Sequence, residues 1–260
     1  MNRIAHIENN FTDKFGIPRQ SGLVDDVIST IVFEPKYRNP DAIKGLEGFS
    51  HLWIIWMFDA GFSGQPDSRK QSGSSRTGSL EASSREIHDD CSDSNSAPDS
   101  NDTWSPMVRP PKLGGNMRMG VFATRSPNRP NPIGLSCVRI VEICDSDRGP
   151  LIKVAGADLK NNTPILDIKP YLPFTDSHPD ASSGFTDSYE LTPLTVHDPD
   201  GLLNDLPKDT AKAVVSLLAQ DPRPSFHDDP SRIYGMKYAG YDIHFSVSGD
   251  ILNITGIDWV

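Results

Sequence analysis

Cysteine is scarce in this 260-residue chain, and the three present (Cys91, Cys137 and Cys144) have no C-x-x-C spacing. Neither a disulfide framework nor a thiolate metal site is expected, and unpaired cysteines fit a cytoplasmic location. None of the seven histidines is spaced H-x-x-x-H or H-x-H, so the chain offers no metal motif. The longest apolar run, residues 51–62, is interrupted by Asp59. It is too short to span a bilayer and reads as a buried strand. The opening MNRIAHIENN has one Arg and no apolar stretch, unlike a signal peptide. Neither G-x-G-x-x-G nor G-x-x-x-x-G-K-[ST] occurs, and no βαβ pattern surrounds Gly114, Gly115 or Gly120. That excludes the common dinucleotide and phosphate-loop sites.

Acidic residues are missing from one long window. The net charge is −10, yet residues 103–141 hold no Asp or Glu. Arg109, Lys112, Arg118, Arg125, Arg129 and Arg139 give that window +6, which leaves −16 for the rest. The overall sign argues against nonspecific nucleic-acid binding, whereas the local excess points to a focused anion site. The plain competing explanation is that the fold pairs these bases with carboxylates from elsewhere.

What is abundant is Pro (22) and Gly (20) beside 36% apolar residues, a mixture that favours turn-rich β structure. Apolar, β-branched or aromatic stretches at 3–8, 28–33, 52–58, 118–123, 133–143, 151–157 and 165–168 predict short strands separated by turns. They suggest a mainly β chain with an antiparallel barrel or sandwich. The 135–143 stretch is apolar on both faces and predicts a strand with few solvent-facing positions. Residues 63–102 are rich in Ser, Asp and Gly and nearly free of aliphatics. They predict a disordered insertion, with Cys91 inert inside it. Near the end, Asp205-Leu206-Pro207 predicts a helix N-terminus. Ala211, Val214, Val215 and Leu218 predict its buried stripe, and Asp221-Pro222 its stop. Residues 241–257 alternate, with Tyr241, Ile243, Phe245 and Val247 on one face, His244 on the other, and Gly249-Asp250 as a hairpin turn. The expected division is a barrel over 1–175 and a small α+β domain over 176–260.

The densest segment is RPPKLGGNMRMGVFATRSPNRPNPIGLS at 109–136. Its five prolines fix φ and stiffen the loop, so Arg125 and Arg129 can present guanidinium forks to a carboxylate or phosphate without a fresh ordering cost. Three further clusters stand out: Pro18-Arg19-Gln20, the polar loop from Asp158 through Leu159, Lys160 and Asn161, and Asp167-Ile168-Lys169-Pro170-Tyr171. Taken singly, each reads equally well as a satisfied turn.

Together, PRQ at 18–20, GLEGFSHLWI at 45–54, the 109–136 segment, DIKPYLPF at 167–174 and AQDPRP at 219–224 resemble the TrmO/TsaA family. The resemblance implies a β-barrel methyltransferase that uses S-adenosylmethionine (SAM) and forms homodimers with a small C-terminal domain. Its implied reaction is methylation of N6 of threonylcarbamoyl-adenosine beside the anticodon of tRNA, at position 37. The SAM-contacting positions it implies are Pro18, Arg19, Gln20, Arg125, Leu135 and the Asp158, Leu159, Lys160, Asn161 loop. Asp59 and Ala60 occupy a further contact where some members carry His-Gln. Lys160-Asn161-Asn162 departs from the Val-Asp-Gly of some relatives, which points to backbone rather than side-chain contacts there.

The chemistry then assigns roles. A ureido nitrogen is a poor nucleophile until it loses its proton, so Asp158 or Asp167 is the expected base, its pKa raised by burial. Lys169 and Tyr171 stand with them as catalytic candidates, Tyr171 for stacking on a base. Arg129, Asn131, Lys169 and Arg223 are the candidates for the substrate's anionic groups. Two other functions compete: a SAM methyltransferase for a small anionic metabolite, and a SAM- or RNA-binding module without catalysis.

Overall fold

The computed structural model describes residues 1–58, 105–110, 117–188, 192–224 and 229–260. The expected disordered insertion at 63–102, and with it Cys91, lies outside the described residues, as do Asp59 and Ala60.

Strands β1 (Ala5–Glu8), β2 (Ile28–Phe33) and β3 (His51–Met57) are followed by a short pair, β4 (Met107–Val108) and β5 (Met119–Gly120). Next come β6 (Ile133–Ser146), β7 (Gly149–Ala155) and β8 (Pro164–Pro170). All pairs in this part are antiparallel, and six strands close into a ring in the order β1-β2-β7-β6-β3-β8. Alternation decides which side chains fill it. In β3, Leu52, Ile54 and Trp56 point inward, where they meet Ala5, Ile7, Ile31, Val138, Ile152, Val154 and Ile165.

Two strand expectations need correction. Residues 118–123 do not form one strand: β5 ends at Gly120 and a 3-10 turn, Val121–Ala123, takes over. The Thr124 amide and hydroxyl both donate to the Val121 carbonyl, at 3.1 and 2.8 Å, and so close the chain into a turn. Nor is β6 covered on both faces: Leu135 is 55% exposed and Val141 44%. A strand in a closed ring has one inner face, so its outward apolar residues stay accessible.

The remaining elements are a short helix α1 (Pro173–Asp176), β9 (Thr195–His197), helix α2 (Lys208–Ala219), β10 (Tyr234–Tyr238), β11 (Tyr241–Ser248) and β12 (Ile251–Trp259). They make a four-stranded sheet, β10-β11-β12-β9, in which β9 runs parallel to β12. The Gly249-Asp250 turn and the inward Ile243, Phe245 and Val247 match expectation.

Helix α2 does not. Asp205 closes a preceding 3-10 turn, Pro207 occupies the N-cap, and the buried stripe is Ala213, Val214, Leu217 and Leu218. Lys212 and Ser216, one turn apart, both bind Asp26 at 2.8 and 2.6 Å. That double anchor fixes the rotation of the helix and turns Val215 outward. Phe11, Val24 and Val27, from early in the chain, pack into this second core with Leu217, Leu218, Met236 and Phe245. Gly16 lies where that early segment crosses the sheet. It has φ +89°, and a Cβ there would stand 2.6 Å from Met236.

Candidate functional site

The site begins as an unpaired length of strand. β3 runs beside β6 from Ile133 to Arg139, but β7 joins β6 only from Arg139 onward. The backbone N–H of Cys137 therefore faces no β7 residue and donates to the Ser21 hydroxyl at 3.1 Å. Alternation places the N–H and C=O of Leu135 along the same edge. Residues 18–21 reach this edge because the Gly22 amide donates to the Gly156 carbonyl at 2.9 Å, just where β7 ends.

Four of the expected segments meet here. Arg125 donates from Nη1 to Gln20 Oε1 at 2.5 Å, and its charge acts on Asp158. Asp158 accepts from the Ser136 hydroxyl at 2.5 Å and from the Ser21 amide. Burial pushes its carboxyl above the usual aspartate value, against the lowering by Ser136, the backbone amides and Arg125. Ser136 in turn accepts from Trp56 Nε1 at 2.9 Å. Pro18 is buried beneath, while Arg19 reaches away to donate to the Arg223 carbonyl at 3.1 Å.

The next loop is held by Asn9. Its amide side chain donates to the Leu159 carbonyl at 2.8 Å and to Ser29 at 3.2 Å, and its backbone N–H donates to Asn161 Oδ1 at 3.1 Å. Leu159 is itself in the barrel core. Asn161 and Leu159 are thus committed to holding the loop, and Lys160 is half-buried between them.

Asp167, Lys169 and Tyr171 gather on the outer face of β6-β3-β8. In register, Leu135, Ile55 and Asp167 form one row, and Cys137, Trp53 and Lys169 the next. A cleft of ≈ 380 Å³ lies over them, lined by Trp53, Ile55, Leu135, Lys169, Asp176 and His178 among others. Asp176 closes one end, accepting from Leu172 N and Trp53 Nε1, each at 2.9 Å. Those bonds, the backbone one foremost, hold its carboxyl below the ordinary range. Burial, followed by the charge of Asp176, pushes the Cys137 thiol up, so it is not an activated nucleophile. Tyr171 leans on Trp53 and His51, ring centres 5.8 and 6.1 Å away. Asp167 is half-exposed and paired with Lys169 at 3.0 Å. The burial expected of a raised carboxylate therefore describes Asp158 and not Asp167. Leu135 joins the two regions, with its backbone on the open edge and its side chain in the cleft.

The expected substrate contacts are dispersed. Arg129 bends back on its own loop, with Nη1 3.2 Å from the Thr124 carbonyl and its guanidinium 5.8 Å from the Phe122 ring centre. Asn131 is exposed. Arg223 grips Asp221 at 2.8 and 3.2 Å and, through its carbonyl, serves Arg19. Of the basic window, Arg139 does pair with an acid, Asp25, at 3.7 Å.

Comparison with known proteins identifies the family. A family model described as the tRNA-methyltransferase O N-terminal domain matches residues 6–86 and 93–177, and one for the TrmO C-terminal domain matches 201–259. The chain belongs to the TrmO family. It is 33% identical over 254 residues, 95% of this chain and 92% of the other, to the tRNA (adenine(37)-N6)-methyltransferase of Escherichia coli. It is 46% identical to that of Eikenella corrodens over 145 residues, 55% of this chain and 81% of the other. The crystal structure of TrmO from Pseudomonas aeruginosa superposes with a TM-score of 0.66 at 26% identity, covering 98% and 97% of the two chains. As a TrmO protein the chain falls among the SAM-dependent tRNA N6-adenine methyltransferases.

Sequence reading missed Ser21, Trp56, Ser136 and Asn9. Ser136 closes the 109–136 motif and Trp56 lies in the apolar strand, so both were in view. Only the register of β3 on β6, which makes Trp56 and Ser136 near neighbours, reveals them as polar partners.

Proposed function

We propose that the chain methylates N6 of threonylcarbamoyl-adenosine at position 37 of tRNA, with SAM as methyl donor. The observation that carries this reading is the convergence of residues 18–21, Arg125, Leu135 and Asp158 on the open edge of β6.

These residues suit SAM. The Arg125 fork, steadied by Gln20, matches a carboxylate. The Leu135 backbone offers a donor and an acceptor, and its side chain an apolar surface. When bound, SAM supplies a methyl group on a sulfonium, already activated for transfer. The remaining task falls to the chain: to align a nitrogen with that methyl and to take its proton. Asp158 is the better base, because burial strengthens it as an acceptor while the Ser136 hydroxyl and Arg125 favour its ionised form. In this reading Lys169 and Arg129 would leave their present partners, Asp167 and the Thr124 carbonyl, to meet the threonine carboxylate and the phosphates, and Tyr171 would stack on a neighbouring base. A homodimer and a cytoplasmic location belong to the same proposal. Exposed Phe122 and Phe174 give apolar surface for a second copy to cover. Among the described residues no helix is long and apolar enough to cross a membrane.

The test is transfer of label from SAM to tRNA with and without the threonylcarbamoyl group, followed by nucleoside analysis. Label on modified tRNA alone supports the proposal. Label on unmodified adenosine overturns the substrate assignment, and SAM binding without transfer overturns the catalytic one.

A further inference from the structure

A buried hydroxyl between an indole and a carboxylate has little freedom in how it shares its hydrogen. Ser136 is 0% exposed, so water does not serve it. Trp56 Nε1 is a donor and nothing else, and it lies 2.9 Å from Ser136 Oγ. It occupies a lone pair of that oxygen, and the one hydrogen of Ser136 goes to Asp158 Oδ1 at 2.5 Å.

The indole cannot turn away. A Cβ on Gly134 would fall 2.1 Å from the Trp56 ring, so the ring packs directly against that glycine, and Phe58 closes against it with ring centres 4.3 Å apart. The direction of donation is therefore built into the barrel wall.

We propose that Trp56 and Ser136 are positioning residues for the transfer step: a one-way relay, Trp56 to Ser136 to Asp158, holds the Asp158 carboxylate in place as a proton acceptor. The inference rests on the reading of Asp158 as the base. Protonating Asp158 weakens the relay, because a neutral carboxyl oxygen accepts the Ser136 hydrogen less strongly than a carboxylate oxygen does. The relay thus opposes burial, which favours the neutral acid. The other groups facing the carboxylate are the Arg125 charge and the backbone amides of Ser21 and Asp158 itself.

The experiment is the pH profile of the single-turnover methyl-transfer rate, with the full chain, SAM and threonylcarbamoylated tRNA. The wild-type chain is compared with Ser136→Ala, Ser136→Thr, Trp56→Phe and Asp158→Asn, and SAM affinity is measured for each. Ser136→Ala is expected to move the acid limb of the profile up by about one pH unit. Trp56→Phe, which keeps an aromatic ring and removes the N–H, moves it the same way by less, and Ser136→Thr restores it. If Ser136→Ala does not fold, Trp56→Phe decides. An unmoved limb in the relay variants, with activity lost in Asp158→Asn, overturns the relay and leaves the base in place. A limb that persists in Asp158→Asn overturns the base and the relay together.

Discussion

The guanidinium of Arg19 donates to the backbone carbonyl of Arg223, 204 positions later in the chain, at 3.1 Å. Arg223 is steadied for this by Asp221, a non-glycine residue at φ 50°. The loop at 18–21, proposed to hold SAM, is thus braced from the C-terminal part of the chain. Asp221→Ala removes the support of that brace without replacing any of the expected SAM-contacting residues. It should weaken SAM binding by about 3- to 10-fold, the value of one ordinary hydrogen bond. Isothermal titration calorimetry measures it, and an unchanged Kd would show that Arg19 needs no support.

The two candidate bases differ in surroundings, and their variants should differ in rate. Asp167 is half-exposed and answered by Lys169, so Asp167→Asn is expected to cost less than about 10-fold in single-turnover rate. Asp158→Asn is expected to cost about 100-fold or more, the usual worth of a general base. Equal losses would argue that neither carboxylate takes the proton.

Gly134→Ala tests the seat of the indole. The added methyl has nowhere to go, since Trp56 is buried and itself pressed on Phe58. A loss of about 1–3 kcal/mol is expected from overpacking, read as a lower urea midpoint at unchanged m.

Asn9 satisfies groups that water does not reach. With Asn9→Ala, buried Ser29 and the Leu159 carbonyl both lose a partner. The expected cost is about 1–3 kcal/mol. The 158–161 loop should loosen with it, seen as faster amide exchange at Asn161.

Acid should destabilise the barrel through Glu8 and Glu34. The Arg148 fork holds Glu8 below the ordinary glutamate value. Burial works to raise Glu34, but bonds from Arg3 and His6 outweigh it, so it too is lowered. A carboxyl depressed by folding contributes stability that is complete above its unfolded pKa and is lost as pH falls through the folded one. The part of the melting temperature owed to these two groups should therefore hold from neutrality down to about pH 4.3, the unfolded glutamate value, and fall below it. Arg148→Ala should flatten that fall, and both groups are open enough to water for salt to weaken the effect.

Local pattern made much of this legible. The bounds of β2 and the alternation of β11 follow from β-branched and apolar spacing, and the Gly249-Asp250 turn from its residue types. The stiff Arg125 loop follows from its prolines. What stayed hidden depends on register and on distance in the chain. That 133–138 forms a free edge follows from where β7 stops, which no residue of β6 announces. The rotation of α2 is set by Asp26, more than 180 residues away, and local spacing alone favoured Val215 over Leu217. Asp205 carries the right chemistry for a helix cap and is used by a neighbouring turn instead.

The early segment carrying Phe11, Val24 and Val27 belongs to a core whose other walls lie from Leu194 onward. On a ribosome adding about 5–20 residues per second, those three side chains wait roughly 10 to 40 s for their partners to be made. The barrel can close during that interval, but its first loop cannot be finished. A newly made chain therefore has the whole barrel sequence before Arg223, the partner of Arg19 in the loop proposed to hold SAM, has been added.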